Sequence, residues 1–261
     1  MDNVNNYMTI RGKRLEIEWH GPDPEEAPTL IFLHEGLGCV SMWRDFPSKL
    51  ASVTNCGALV YSREGYGKSD PCRLPRQIKF MHNEGLEILP EIIQSAGIKE
   101  CILVGHSDGG SIAIIYAGGT AATPLRGLVT EAAHVFCEEI SVRSIQEAKV
   151  SFEQGDLKEK LEKFHGKNTN CAFWGWNDVW LDPDFRFWNI EEYLPNIKVP
   201  LLAIQGDKDK YGTFEQTNSI HRNAGGKTEI LTLPDCGHSP HREKESMTLS
   251  AMSDFIIDIL R

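Results

Sequence analysis

The stretch GHSDGG, residues 105–110, constrains the fold more than any other part of the sequence. It follows an apolar run over residues 101–104 and precedes a run of small and apolar residues, 111–117, that is compatible with a helix. Glycines two positions either side of Ser107 remove the Cβ atoms that would clash where a strand and a helix cross closely. The pattern predicts a strand, a sharp turn and a helix, with Ser107 strained and exposed. An ordinary turn with a capping serine is the alternative.

Length and charge limit the class of protein. The chain has 261 residues, enough for one large α/β domain, and its apolar and charged fractions are those of an ordinary globular protein. A net charge of −10 disfavours nucleic acid and anionic membrane surfaces, so we expect neither as a partner. The N-terminal residues show no basic region followed by an apolar one, and no apolar run is long enough to cross a bilayer. We therefore predict a cytoplasmic protein.

The cysteine pattern is typical of reduced thiols. Seven cysteines are an odd number, they are scattered along the chain, and none belongs to a Cys-x-x-Cys pair. We predict free thiols, with neither a disulfide framework nor a zinc site.

Strands and helices alternate through the first half of the chain and again near its end. Apolar runs, several ending in glycine-rich turns, predict a hairpin over residues 7–20 and strands over 29–33, 57–61, 101–104, 125–130, 201–205 and 228–233. Helical spacing of apolar residues predicts helices over 43–50, 77–96, 213–224 and 244–260, with Pro90 kinking or splitting the second of them. This order predicts a mostly parallel central sheet with helices on both faces.

The alternation stops between residues 132 and 197. Residues 141–165 carry Glu and Lys at helical spacing, and the stretch that follows is crowded with aromatic residues. No strand-like period is visible there, so we predict a helical insertion over residues 132–197. The core would then be formed by residues 1–131 and 198–261.

The aromatic residues of this insertion have two interpretations. Most of them are expected to pack the insertion against the core, as large apolar side chains usually do. Some could instead line an apolar pocket above the serine, and Trp174, Trp176 and Trp180 are the candidates for that role.

Two further residues can complete a nucleophilic site with Ser107. A serine hydroxyl is a poor nucleophile, so it needs a histidine to take its proton and a carboxylate to orient that histidine. Asp209 and His238 each lie in a loop after a predicted strand, in the chain order Ser, Asp, His. Loops at the carboxyl ends of parallel strands share one edge of the sheet, so we expect the three side chains to converge.

Other residues compete for these roles. Asp207 and Glu131 are alternatives to Asp209 as the acid. His241 is the alternative to His238, but it lies where the last helix is predicted to begin, so we expect a surface or capping role. We expect His106 to pack beneath the serine turn.

Five motifs follow one another along the chain: LHEGLG, SREGYGKSDP, GHSDGG, IQGDKD and CGHSP. Together they resemble the small, capped, esterase-like branch of the α/β-hydrolase superfamily, over nearly the whole chain. The resemblance implies an α/β-hydrolase fold with Ser107 as the nucleophile at its elbow, Asp209 as the acid and His238 as the base. It also implies that residues 132–197 form the cap of this family.

The resemblance further implies an oxyanion hole made of two backbone N–H donors. One donor is Asp108, and the other comes from the loop after the third strand, where Glu35 interrupts the usual His-Gly start. Gly36 is the first choice for the second donor, with Glu35 and Leu37 as alternatives. We expect the Glu35 carboxylate to pair with Arg63.

The implied chemistry is acyl transfer, which needs no metal and no organic cofactor. We expect a small neutral ester as substrate, because the carboxylates of Glu35 and Asp108 and the negative chain would repel anions. The Asp108 carboxylate could alternatively attract an ammonium group or only support its loop. A carbon–carbon bond hydrolase of ring-cleavage diketones, a thioesterase and, in another class, a ligand receptor on the same fold remain open. Oligomeric state is open as well, with a homodimer as one choice.

Overall fold

Eight strands form one sheet in the computed structural model, which describes residues 6–120 and 125–261. The strands are β1 (Tyr7–Ile10), β2 (Lys13–His20), β3 (Thr29–Leu33), β4 (Gly57–Tyr61), β5 (Cys101–His106), β6 (Leu125–Glu131), β7 (Leu201–Gly206) and β8 (Thr228–Leu233). Their order in the sheet is β1-β2-β4-β3-β5-β6-β7-β8. Only the pairs β1–β2 and β2–β4 of these strands are antiparallel, which confirms the predicted mostly parallel sheet.

The central strands are buried on both faces. All five residues of β3 are buried, and so are all five of β4. Ile31 and Leu33 pack into one hydrophobic cluster, whereas Leu30 and Phe32 pack into a second cluster on the opposite face. Helices cover both faces of the sheet, which is why these strands read as continuous apolar runs in the sequence.

Outside the insertion, the helices of the described residues follow the predicted order, but the short helix Pro240–Glu243 was not predicted and some ends differ. They are α1 (Phe46–Thr54), α2 (Phe80–Asn83), α3 (Leu89–Ser95), α4 (Asp108–Gly119), α5 (Glu139–Gln154), α6 (Leu157–His165), α7 (Thr169–Trp180), α8 (Phe214–Asn223), α9 (Pro240–Glu243) and α10 (Glu245–Leu260). None of these helices is both long and apolar enough to cross a membrane.

The first predicted helix, over residues 43–50, begins too early. A short 3₁₀ turn, Val40–Trp43, comes first, and Arg44 then takes a positive φ of 56° that interrupts the helical path. α1 begins at Phe46 because Pro47 lacks an N–H and is suited to the first turn of a helix.

The predicted interruption at Pro90 takes the form of a π-helical turn. This turn, Glu84–Ile88, joins α2 to α3, and the N–H of Leu89 bonds to the carbonyl of Glu84, five residues earlier. Pro90 then lies in the first turn of α3. The N–H groups of a first turn have no acceptor within their own helix, so the missing N–H of Pro90 costs α3 no hydrogen bond.

Between β6 and β7 the chain is helical. It forms α5, α6, α7 and short 3₁₀ turns, and an isolated bridge joins Phe136 to Asn189. The helical character agrees with the sequence prediction, while the division into a core and a cap stays a prediction. Residues 1–5 and 121–124, which the predicted core includes, lie outside the described residues.

The turn at Ser107 has the strand–turn–helix form that the sequence predicts. Ser107 joins β5 to α4 with a φ of 52° and a ψ of −119°, a strained conformation for a residue with a side chain. A Cβ on Gly109 would lie 1.9 Å from the carbonyl oxygen of Leu33, and one on Gly105 would lie 2.4 Å from that of Gly109. Both positions therefore require glycine.

We expect Gly109→Ala to lower the free energy of unfolding by about 3 kcal/mol or more, since its methyl group would overlap the backbone of β3. Gly97→Ala is the control, because a Cβ there meets nothing within 4 Å and only the positive φ of 67° opposes it. That control should lose about 1 kcal/mol. Urea unfolding measures both values, and equal losses in the two variants would contradict the close crossing.

Candidate active site

Ser107, His238 and Asp209 meet at the carboxyl edge of the sheet. Ser107 follows β5, Asp209 follows β7 and His238 follows β8. The Oγ of Ser107 lies 3.0 Å from Nε2 of His238, and Nδ1 of the same ring lies 2.9 Å from Oδ2 of Asp209. The three side chains thus form a continuous chain of hydrogen bonds, in the order that the sequence predicts.

Asp209 is held by more than the histidine. Its Oδ1 accepts the backbone N–H of Tyr211 at 2.8 Å, and its Oδ2 accepts the side-chain amide of Gln205 at 2.7 Å. Burial alone would raise the pKa of Asp209, but the charge and hydrogen bond of His238 and the N–H of Tyr211 lower it below the ordinary value. The group therefore remains a carboxylate that can orient the Nδ1–H of His238.

The residues that compete with Asp209 and His238 for their roles make other contacts. Asp207 is exposed, and its carboxylate accepts the N–H of Cys236 at 3.4 Å. Glu131 accepts both the backbone N–H and the Nδ1–H of His241, at 3.0 and 2.9 Å. The expectation of a surface role for His241 is wrong, because its side chain is 3% exposed and its ring packs 4.5 Å from that of Trp43.

The expected pairing of Glu35 with Arg63 is wrong as well. The guanidinium of Arg63 donates to the backbone carbonyls of His34 and Glu35, at 2.5 and 3.0 Å. The Glu35 carboxylate turns back over Gly38, where a Cβ would lie 2.2 Å from its Oε2. It approaches Nδ1 of His106 to 3.4 Å. Glu35, which interrupts the usual His-Gly start of the loop after β3, therefore directs its carboxylate towards His106 at the end of β5 and away from Arg63.

His106 connects two loops of the site. Its Nε2–H donates to the backbone carbonyl of His238 at 2.6 Å, and its other ring nitrogen faces Glu35. Burial alone would lower the pKa of His106, but Glu35 and, at longer range, Glu131 raise it to about 9. The ring is then an imidazolium at neutral pH, with both N–H groups available to donate. The sequence predicts the position of His106 beneath the turn but not this polar connection.

A cavity of about 150 Å³ opens at Ser107. It is lined by Glu35, Gly36, Leu37, Ser107, Asp108, His134, Ser141, Ile145, Trp176, Trp180, Tyr211 and His238. The space corresponds to a group about the size of benzene. All the predicted oxyanion residues and two of the three predicted aromatic residues thus border one space. Among the residues that the structure describes, no three His, Cys, Asp or Glu side chains are grouped to hold a metal ion.

Trp174, the third predicted pocket residue, lies outside this lining. Its ring packs edge-on against Phe152 and Phe173, at 5.5 and 5.0 Å. Trp176 instead covers the loop after β3, since a Cβ on Gly36 would lie 2.2 Å from its Nε1. Side chains two positions apart on a helix, such as Trp174 and Trp176 on α7, point in different directions. The number of aromatic residues in a segment does not reveal which of them face the cavity.

Two buried polar side chains border the cavity beside the serine. Asp108 is fully buried, its Oδ1 accepts the indole N–H of Trp180 at 3.2 Å, and burial raises its pKa. Burial and the nearby His238 lower the pKa of His134 to about 3, so its ring is neutral. Sequence analysis missed His134; its position directly after β6, at the carboxyl edge, is the signal that would have found it.

The chain belongs to the alpha/beta hydrolase family, whose model matches residues 30–247. The predicted α/β-hydrolase fold is thereby confirmed.

The chain is also similar to individual relatives and to solved structures. The chain is 26% identical, over 267 aligned positions, to a proline iminopeptidase of Saccharolobus solfataricus, covering 87% of this chain and 84% of that protein. An esterase from Exiguobacterium antarcticum superposes with a TM-score of 0.75 at 18% identity, covering 97% of this chain and 99% of the other. A proline iminopeptidase of Mycobacterium smegmatis superposes with a TM-score of 0.71 at 15% identity, covering 97% of each chain. The two superpositions show the shared fold.

We expect the pairing of His106 with Glu35 to appear in the pH dependence of stability. Because the pKa of His106 is raised from 6.5 to about 9, its stabilisation is fully present below pH 6.5 and is lost as the pH rises through about 9. The difference in unfolding free energy between the wild type and His106→Gln should therefore shrink by about 3 kcal/mol across that range. Urea unfolding at a series of pH values measures it, and a constant difference would show that His106 is not charged.

Proposed function

We propose that this chain is a serine hydrolase that cleaves small neutral esters through an acyl-enzyme on Ser107. The observation that carries the proposal is the chain of hydrogen bonds from Ser107 through His238 to Asp209, at the base of a cavity. Membership of the alpha/beta hydrolase family supports hydrolysis in general. The choice of a small, neutral substrate rests on the size of the cavity and on its charges.

The geometry supports the following sequence of steps. His238 takes the proton of Ser107 as its Oγ attacks the substrate carbonyl, and Asp209 stabilises the imidazolium that forms. The N–H of Asp108 and one donor from the loop at Gly36 bind the developing oxyanion. His238 then protonates the leaving alkoxide, and water attacks the acyl-enzyme with the same histidine as its base.

The size and charge of the cavity favour a short, neutral acyl group. A space of about 150 Å³ leaves room for a group about as large as benzene. The indole rings of Trp176 and Trp180 offer it apolar surface, while Glu35 carries a carboxylate whose pKa is well below its ordinary value because of His106, against the effect of burial. An anionic acyl group would be repelled there.

We expect Ser107→Ala to lower kcat for phenyl acetate by about 10⁴-fold or more, since the nucleophile is removed. Asp209→Asn should cause a loss of about 10⁴-fold because it disturbs the orientation of His238. Asp207→Asn, in the same turn, is the matched control and should keep a kcat near that of the wild type. Steady-state kinetics on purified variants measures these values. Full activity in Ser107→Ala would refute the mechanism, and absence of multiple turnovers in the wild type would favour a receptor.

We expect Trp176→Leu to shift acyl preference towards longer chains, because this ring covers Gly36 and limits the cavity. The ratio of kcat/KM for hexanoyl and acetyl esters should rise by about tenfold. Trp174→Leu is the matched control, since Trp174 lies outside the cavity lining, and its ratio should stay at the wild-type value. The ratio is independent of how much enzyme is folded. Equal shifts in the two variants would contradict the assignment of Trp176 to the acyl site.

A second candidate is hydrolysis of the amide bond after an N-terminal proline. The similarity to the Saccharolobus solfataricus proline iminopeptidase favours it, and so does the carboxyl group of Asp108 beside the serine, which could bind an ammonium group. Prolyl p-nitroanilide belongs in the same substrate panel as the esters. A higher kcat/KM on the prolyl amide than on every ester would replace the esterase proposal with this one.

A further inference from the structure

Two cysteines that are distant in sequence lie side by side in the fold. The Sγ atoms of Cys72 and Cys171 are 2.6 Å apart, although the residues are separated by 99 positions. A disulfide bond has a length of about 2.05 Å, so a small movement of either sulfur would allow bonding. A Cβ on Gly65 would lie 2.7 and 2.9 Å from these two sulfurs, so the pair fits only because that residue is glycine.

Cys72 is the more reactive of the two thiols. Its hydrogen bond with Cys171 and the nearby guanidinium of Arg76 lower its pKa to about 6, against the effect of burial. It also borders a surface cavity of about 350 Å³, together with Arg73 and Arg76, through which a small oxidant can approach. In contrast, burial raises the pKa of each of the buried cysteines, which are Cys39, Cys56, Cys101 and Cys236.

We propose that Cys72 and Cys171 are a peroxide-sensitive pair that closes to a reversible disulfide and fastens α7 to the loop after β4. The Cys72 thiolate attacks hydrogen peroxide, the O–O bond breaks, and a sulfenic acid and hydroxide are formed; the hydroxide takes up the proton that the Cys72 thiol had released and becomes water. The sulfur of Cys171 then attacks the sulfenic sulfur, the S–O bond breaks, and a second water leaves. Two thiols are oxidised and one peroxide is reduced to two waters.

The bond would connect two parts of the candidate active site. Cys171 lies in the first turn of α7, whose later turns carry Trp176 and Trp180 over the cavity. Cys72 follows the loop in which Arg63 holds the backbone carbonyls of the oxyanion loop. A link between positions so far apart also restricts the unfolded chain strongly, so it should stabilise the fold. The inference does not depend on which bond the enzyme hydrolyses.

The test is peptide mapping by mass spectrometry of the wild-type protein, after hydrogen peroxide treatment and alkylation of the remaining thiols. We expect one peptide pair linked through Cys72 and Cys171, which disappears after treatment with dithiothreitol. The melting temperature of the oxidised protein should exceed that of the reduced protein by about 5 °C.

Two variants serve as controls for this shift. Cys171→Ser should lose both the linked peptide and the rise in melting temperature. Cys137→Ser, which removes a half-buried thiol outside the pair, should keep both. Peptide mapping of the wild type decides the question even if Cys171→Ser does not fold. Alkylation of both cysteines after peroxide, or their oxidation to sulfinic acids without a linked peptide, would overturn the proposal.

Discussion

The candidate active site depends on the close approach of α4 to the end of β3. Gly109 lies directly against the carbonyl of Leu33, a contact that leaves no room for any side chain atom. Because Leu33 leads straight into the loop after β3, this contact positions that loop relative to the serine turn. The strained φ of Ser107 is a second result of the same crossing, since the chain has to reverse sharply between β5 and α4.

A layer of buried, hydrogen-bonded side chains packs against His238. Glu35 faces His106, Glu131 bonds His241, and the rings of the two histidines lie 5.1 Å apart. Burying ionised groups is unfavourable unless each one is paired, and pairing fixes their relative positions. The arrangement joins the loop after β3, the ends of β5 and β6 and the segment after β8, so these parts of the candidate site share one set of contacts.

Sequence patterns predict the backbone positions of the site better than its side-chain contacts. Ser107, Asp209 and His238 follow parallel strands, and the rule that such loops share one edge is enough to bring them together. The direction of the Glu35 carboxylate, the burial of His241 and the different orientations of Trp174 and Trp176 depend on packing between segments distant in sequence. No local pattern encodes those contacts, and His134 was missed because no recognisable motif surrounds it.

The contact between Trp176 and Gly36 joins two properties that are usually considered separately. The ring borders the cavity at Ser107, and it also lies against the backbone of Gly36, whose N–H is the expected second oxyanion donor. A larger or smaller side chain at position 176 would therefore change the dimensions of the cavity and the freedom of that N–H group together. For the proposed hydrolase, breadth of substrate range and rate of turnover would then change together whenever position 176 is altered, in evolution or by design.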